Sequence, residues 1–90
     1  MTHNHSIPEN DIPIIVPVTS ITDEENQIRI TMEMPGISEE AIRIELENIF
    51  LSVSASDGEI RFCKEITLPC VTTLGRKKIS GDTLELVLHK

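Results

Sequence analysis

Ninety residues, 39% of them hydrophobic and 26% charged, make one small domain with no room for a second core. The formal charge of −7 and a total of two aromatic residues, Phe50 and Phe62, exclude a phosphate-neutralising surface and a base-stacking platform. Nucleic acid is not an expected partner, and anionic membrane surfaces are disfavoured for the same reason.

From the N-terminus, residues 1–11 are polar and patternless and are expected to form a disordered tail preceding a domain over 12–90. His3 and His5 lie in that tail, where a metal ion would lack supporting groups, so no metal or cofactor is expected. The longest apolar run, residues 12–18, carries Pro13 and Pro17 and falls far short of the roughly 20 residues that cross a bilayer. With no basic start and apolar stretch of a secretion signal, a cytoplasmic location is the expectation.

From Gln27 the hydrophobic period becomes two. Ile28, Ile30, Met32 and Met34 alternate with polar residues and predict a half-buried strand. Pro35 and Gly36 end it, and Ser38 stands where it would cap a single helical turn. Ile42, Ile44 and Leu46 predict the next strand, and Leu51, Val53 and Ala55 the one after. Asp57 and Gly58 are a short hairpin signal. A strand over 60–68 stops at Pro69, a shorter one covers 76–79, Gly81 and Asp82 form a turn, and Leu84, Leu86 and Leu88 mark the last strand. About seven short strands without a 3.6-residue period define an all-β fold, an immunoglobulin-like antiparallel β-sandwich.

No catalytic constellation is visible. His3, His5 and His89 lie at the chain ends, and no phosphate loop, zinc spacing or nucleophile elbow occurs. Cys63 and Lys64 are adjacent in a strand and so point to opposite faces. Cys63 and Cys70 are read as unpaired, partly buried thiols, although a bridge across Pro69 is not decided by sequence. An enzyme is not expected.

With the strands placed, the chain resembles the α-crystallin domain of small heat-shock proteins from about Pro17 to Lys90. The family pattern of a strand ending in Pro-Gly, an acidic turn and an alternating strand is matched by residues 34–46. The pattern of an aromatic, a basic and an apolar residue before Leu-Pro is matched by Phe62, Lys64, Ile66, Leu68 and Pro69. The closing Gly-x-Leu strand is similar to Gly81 through Leu84 and on to Lys90.

The resemblance implies an ATP-independent holdase chaperone of the stress response, whose clients are partly unfolded proteins. It implies an apolar edge groove lined by Ile42, Ile44 and Leu46 on one wall and by Leu74 and Ile79 on the other, with Arg76, Lys77 and Lys78 between those two. Lys64 stands where the family commonly has an interface arginine, and its ammonium lacks the planar fork of that residue. The swapped loop of many bacterial and plant relatives is reduced here to residues 56–59, and the sequence ends at Lys90 without an Ile-x-Ile tail. A monomer or dimer is therefore expected rather than a large assembly. Ile12-Pro13-Ile14 has the Ile-x-Ile form, and both isoleucines would project to one side of an extended arm that docks in the groove; the plainer reading is a lead-in strand. The alternative function is an interaction module for one folded partner, of the kind formed by co-chaperone domains of related fold.

Overall fold

The alternating segments pair into two stacked sheets. The computed structural model describes residues 13–57 and 60–90. One sheet has the spatial order β1 (Ile14–Ile15), β6 (Arg61–Thr67), β5 (Phe50–Ser56), β4 (Ile42–Glu47). The other has the order β2 (Thr19–Asp23), β3 (Gln27–Glu33), β8 (Thr83–His89), β7 (Thr73–Ser80). All pairs are antiparallel except the short parallel contact of β1 with β6. The all-β sandwich expected from the period-two pattern is the fold, with β1 as a small addition.

Register explains the core. Ile28, Ile30 and Met32 on β3 stand opposite Leu88, Leu86 and Leu84 on β8, and all six are buried. The facing layer supplies Leu51, Val53 and Ala55 from β5 with Phe62 and Ile66 from β6. Every second residue of these strands therefore points between the sheets, as a period of two requires. Removing those aliphatic side chains from water is the main favourable term in folding.

Turn chemistry closes the elements. Pro35 supplies a fixed φ and Gly36 a φ of +80°, and the Ile37 amide donates to the Met34 carbonyl at 3.4 Å. This is the pattern of a type II turn, in which the third residue must be left-handed. A single 3-10 turn, Glu39–Ala41, follows; Ser38 precedes it, but its hydroxyl makes no capping bond. Asn48, with φ of 54°, turns β4 into β5. In the β5–β6 hairpin the Ile60 amide donates to the Asp57 carboxylate at 2.8 Å. Gly58 and Glu59 of that expected turn lie outside the described residues, as do the expected tail, His3, His5 and Ile12. No helix among the described residues is long and apolar enough to cross a membrane.

The three residues 16–18 join β1 to β2, so those edge strands share one side of the sandwich and β4 and β7 form the other. That second side carries the candidate site.

Candidate functional site

Among the described residues, β4 and β7 are both edge strands, each with a row of backbone groups that no neighbour in its sheet takes up. β4 pairs with β5, and alternation turns Ile42, Ile44 and Leu46 inward while Arg43, Glu45 and Glu47 face out. Ile42 is buried and belongs to the core; Ile44 and Leu46 are half-buried and pack against its margin. Ile42 therefore offers little surface to a ligand, and the β4 wall is made by the other two. Leu46 also borders a depression of about 460 Å³ shared with Glu45, Glu47, Phe50 and Ser52.

β7 supplies the second wall through an irregularity. Ile79 stands opposite Leu84 and Lys77 opposite Leu86, both inward-facing positions of β8. Leu74 stands opposite Leu88, also inward, although an unbroken strand would turn residues 74 and 79 to opposite faces. The register shift between Leu74 and Arg76 makes the difference, because the extra residue, Gly75, resets the alternation. Gly75 also leaves room for His89: a Cβ there would lie 2.1 Å from the imidazole ring. Leu74 and Ile79 thus share the inner face, Leu74 at 43% exposure and Ile79 half-buried.

The same register places Lys77 on the inner side between those two apolar residues, with Arg76 and Lys78 on the outer side. All three cations are exposed, and none forms an ion pair with another described residue. The residues expected to line the groove thus lie on two edges, Ile44 and Leu46 on β4 and Leu74 and Ile79 on β7, with the Lys77 ammonium on the inner side of β7. Sequence reading named the three cations together without separating Lys77 from its neighbours; the bulge decides that separation.

Other expected sites fall elsewhere. Ile14 pairs with Arg61 on β6, and the Arg61 amide donates to the Pro13 carbonyl at 3.2 Å. This contact places Ile14, 57% exposed, on the far edge of the sheet from β4, so it does not lie against β4 of its own chain. Lys64 lies on the inward-facing side of β6 between Phe62 and Ile66, opposite Val53 and half-buried. β1 pairs with β6 at Arg61 and Phe62, so Lys64 lies beyond that contact. Cys63 and Cys70 are free and half-buried.

Phe50 was not singled out by sequence beyond its place in β5. It is 58% exposed on the outer face, opposite Glu47 and Thr67. Among the described residues, no group of three or more His, Cys, Asp or Glu side chains is placed to hold a metal ion.

No family model matches the chain, and no curated protein matches it by sequence. Solved structures do. The small heat shock protein AgsA from Salmonella typhimurium, as a C-terminally truncated form, superposes with a TM-score of 0.73 at 17% identity, over 84% of this chain and 88% of that one. A small heat-shock protein from Xylella fastidiosa, described as having a distinct high order structure, gives 0.72 at 19% identity, over 84% and 86%. Heat shock protein 16.0 from Schizosaccharomyces pombe gives 0.70 at 16% identity, over 84% and 87%. The chain has the α-crystallin-type sandwich of small heat-shock protein structures.

Proposed function

We propose that this chain belongs functionally with the small heat-shock proteins and acts as an ATP-independent holdase in the cytoplasm. The observation that supports the reading is a pair of edge strands, β4 and β7, that carry the half-exposed apolar residues Ile44, Leu46, Leu74 and Ile79 on a sandwich of this fold; we read the space they border as an apolar slot. Partly unfolded chains expose apolar segments and unpaired strand backbone, which drive their aggregation. A segment added along β4 or β7 satisfies its backbone groups and places alternate side chains against Ile44, Leu46, Leu74 and Ile79. Backbone pairing reads little sequence, so many clients are served. Binding the unfolded form lowers its free concentration. The net charge of −7 keeps the loaded complex soluble. No cofactor, metal or catalytic step enters.

Light scattering of a heated client tests this. The parent chain in several-fold excess suppresses scattering, and the double variant Leu46→Ser with Leu74→Ser suppresses it much less while keeping its far-UV circular dichroism. Equal suppression by parent and variant removes the slot from the mechanism, and no suppression by the parent removes the activity.

Lys77 supports a second reading, a module for one folded partner, because an ammonium among apolar walls favours a segment that brings a carboxylate. One saturable partner at fixed stoichiometry in a binding screen identifies that module; many unfolded clients identify the holdase.

A further inference from the structure

The outer face of the sheet that holds β3, β8 and β7 gathers cations, although the chain as a whole carries a charge of −7. Arg29 on β3 and Arg76 on β7 both stand opposite Val87 on β8, one on each side of it. Val87 faces outward, since its neighbours Leu86 and Leu88 belong to the core, yet it is only 9% exposed. Arginine stems laid along an apolar side chain, with their charged heads in water, account for that burial. Two strand spacings, about 10 Å, separate the α-carbons of the two arginines, so side chains of that length reach a common point above Val87. Around that point lies a depression of about 290 Å³ lined by Gln27, Arg29, Gly75, Arg76, Val87 and His89. Gly75 shapes its rim: a Cβ there would overlap the His89 ring, and the bare glycine lets the imidazole rest against β7 beside Arg76.

Neither guanidinium forms an ion pair with a described residue. Of the acids that border this face, Glu85 stands between Thr31 and Lys78, and the Glu24 carboxylate accepts a hydrogen bond from the Gln27 amide at 2.6 Å. Two like charges that share one apolar support repel each other, and an anion between them turns that repulsion into two attractions. We propose that this depression binds a tetrahedral oxyanion, phosphate either free or as a small phosphomonoester, between Arg29 and Arg76. Phosphate suits the pair because its several oxygens and its charge beyond −1 satisfy two planar forks at once. A carboxylate offers two oxygens and a single charge. The His89 imidazole supplies a further polar group at the rim, and Lys78, one row along the same face, adds to the positive field. The site lies outside the sandwich, away from the inward residues of β4 and β7, so it stands independently of the holdase reading.

Amide NMR titration of the full chain with inorganic phosphate, at constant ionic strength and neutral pH, tests the site. The signals of Arg29, Gly75, Arg76, Val87 and His89 shift together and saturate, with a dissociation constant of about 1 mM or below. Arg29→Gln or Arg76→Gln raises that constant at least about ten-fold, through loss of charge-assisted bonds. Arg76→Lys recovers only part of the loss, because an ammonium lacks the fork. Arg43→Gln, which removes an exposed arginine from the outer face of the other sheet, leaves the constant unchanged. Circular dichroism confirms that the variants keep the fold, as their exposure predicts. Glycerol 3-phosphate in a parallel titration separates the sources: tighter binding than phosphate assigns the site to phosphomonoesters, and equal or weaker binding assigns it to the free ion. Shifts that grow without saturating, or that spread evenly over the lysines and arginines of the chain, overturn the proposal. So does an Arg43 variant that weakens binding as much as the Arg29 variant, or acetate that binds as tightly as phosphate.

Discussion

Truncating Leu86 and Leu74 to alanine separates core from slot. Leu86 is fully buried on β8, between Ile30 on β3 and Lys77 on β7 in register. Leu→Ala removes about three carbons at about 0.8 kcal/mol each, near 2.4 kcal/mol. The cavity left in a packed core raises this to about 3–5 kcal/mol. Leu74 is 43% exposed, so roughly half of the transfer term applies and no enclosed cavity forms, which gives about 1–1.5 kcal/mol. A domain of 90 residues has a total stability of about 5–13 kcal/mol, so Leu86→Ala consumes a large share. Urea titration followed by far-UV circular dichroism measures both, since the chain has no Trp or Tyr to report by fluorescence. The expected gap between the variants is at least about 1.5 kcal/mol, or about 6–12 °C in melting temperature. If Leu74→Ala costs as much as Leu86→Ala, Leu74 is a core residue and the slot has lost one wall.

Gly36→Ala is expected to cost about 1–2 kcal/mol, all of it backbone strain, because φ is +80° and nothing lies within 4 Å of an added Cβ; Gly36→Asn recovers part of the loss in the same titration. Thr72→Val is expected to raise stability by about 1 kcal/mol, since the buried Thr72 Oγ1 has no hydrogen-bond partner among the described residues, and a lower urea midpoint refutes this. Lys90 Nζ donates to Asp23 Oδ1 at 2.5 Å, and that bond first, then the coulombic pull of the same carboxylate, outweighs desolvation and raises the Lys90 pKa above 10.5. A raised folded-state value means stabilisation that is complete below the ordinary lysine pKa and disappears as pH rises through the raised one. The advantage of the parent over Lys90→Gln in urea midpoint is therefore constant from pH 7 to about 10 and vanishes at higher pH; an advantage unchanged at pH 12 contradicts the pairing.

Strands buried on one face were legible because their alternation is complete. β3, β4, β5 and β8 each carry three inward apolar residues in strict period, and Pro35-Gly36 and Gly81 mark their ends. No alternating pattern delimits β2, because Ile21 is its single inward apolar residue and at the sheet margin even that side chain remains 49% exposed. β1 is two residues held by a neighbouring backbone, and such a contact leaves no periodic trace. The sequence pattern marks β7 only from Arg76, three residues past its start at Thr73. Its first half is exposed on both faces, and the register shift at Gly75 interrupts the count that alternation depends on. Of the site, the apolar members Ile44, Leu46, Leu74 and Ile79 were named from the resemblance. The enclosure of Ile42 and the inward position of Lys77 depend on pairing partners, which one strand's sequence does not contain.

The irregularity at Gly75 works as a one-residue offset in the edge. Without it, the leucine at the start of the strand would be carried around to the wet side of the sheet, and Ile79 would remain on the inner face with Lys77 and no second large apolar residue of that strand. Removing or adding a single residue at that position therefore changes which residues of β7 face inward, while the seven other strands keep their partners. The inner face of this edge strand is adjustable at one place by length, independently of the chemistry of any side chain.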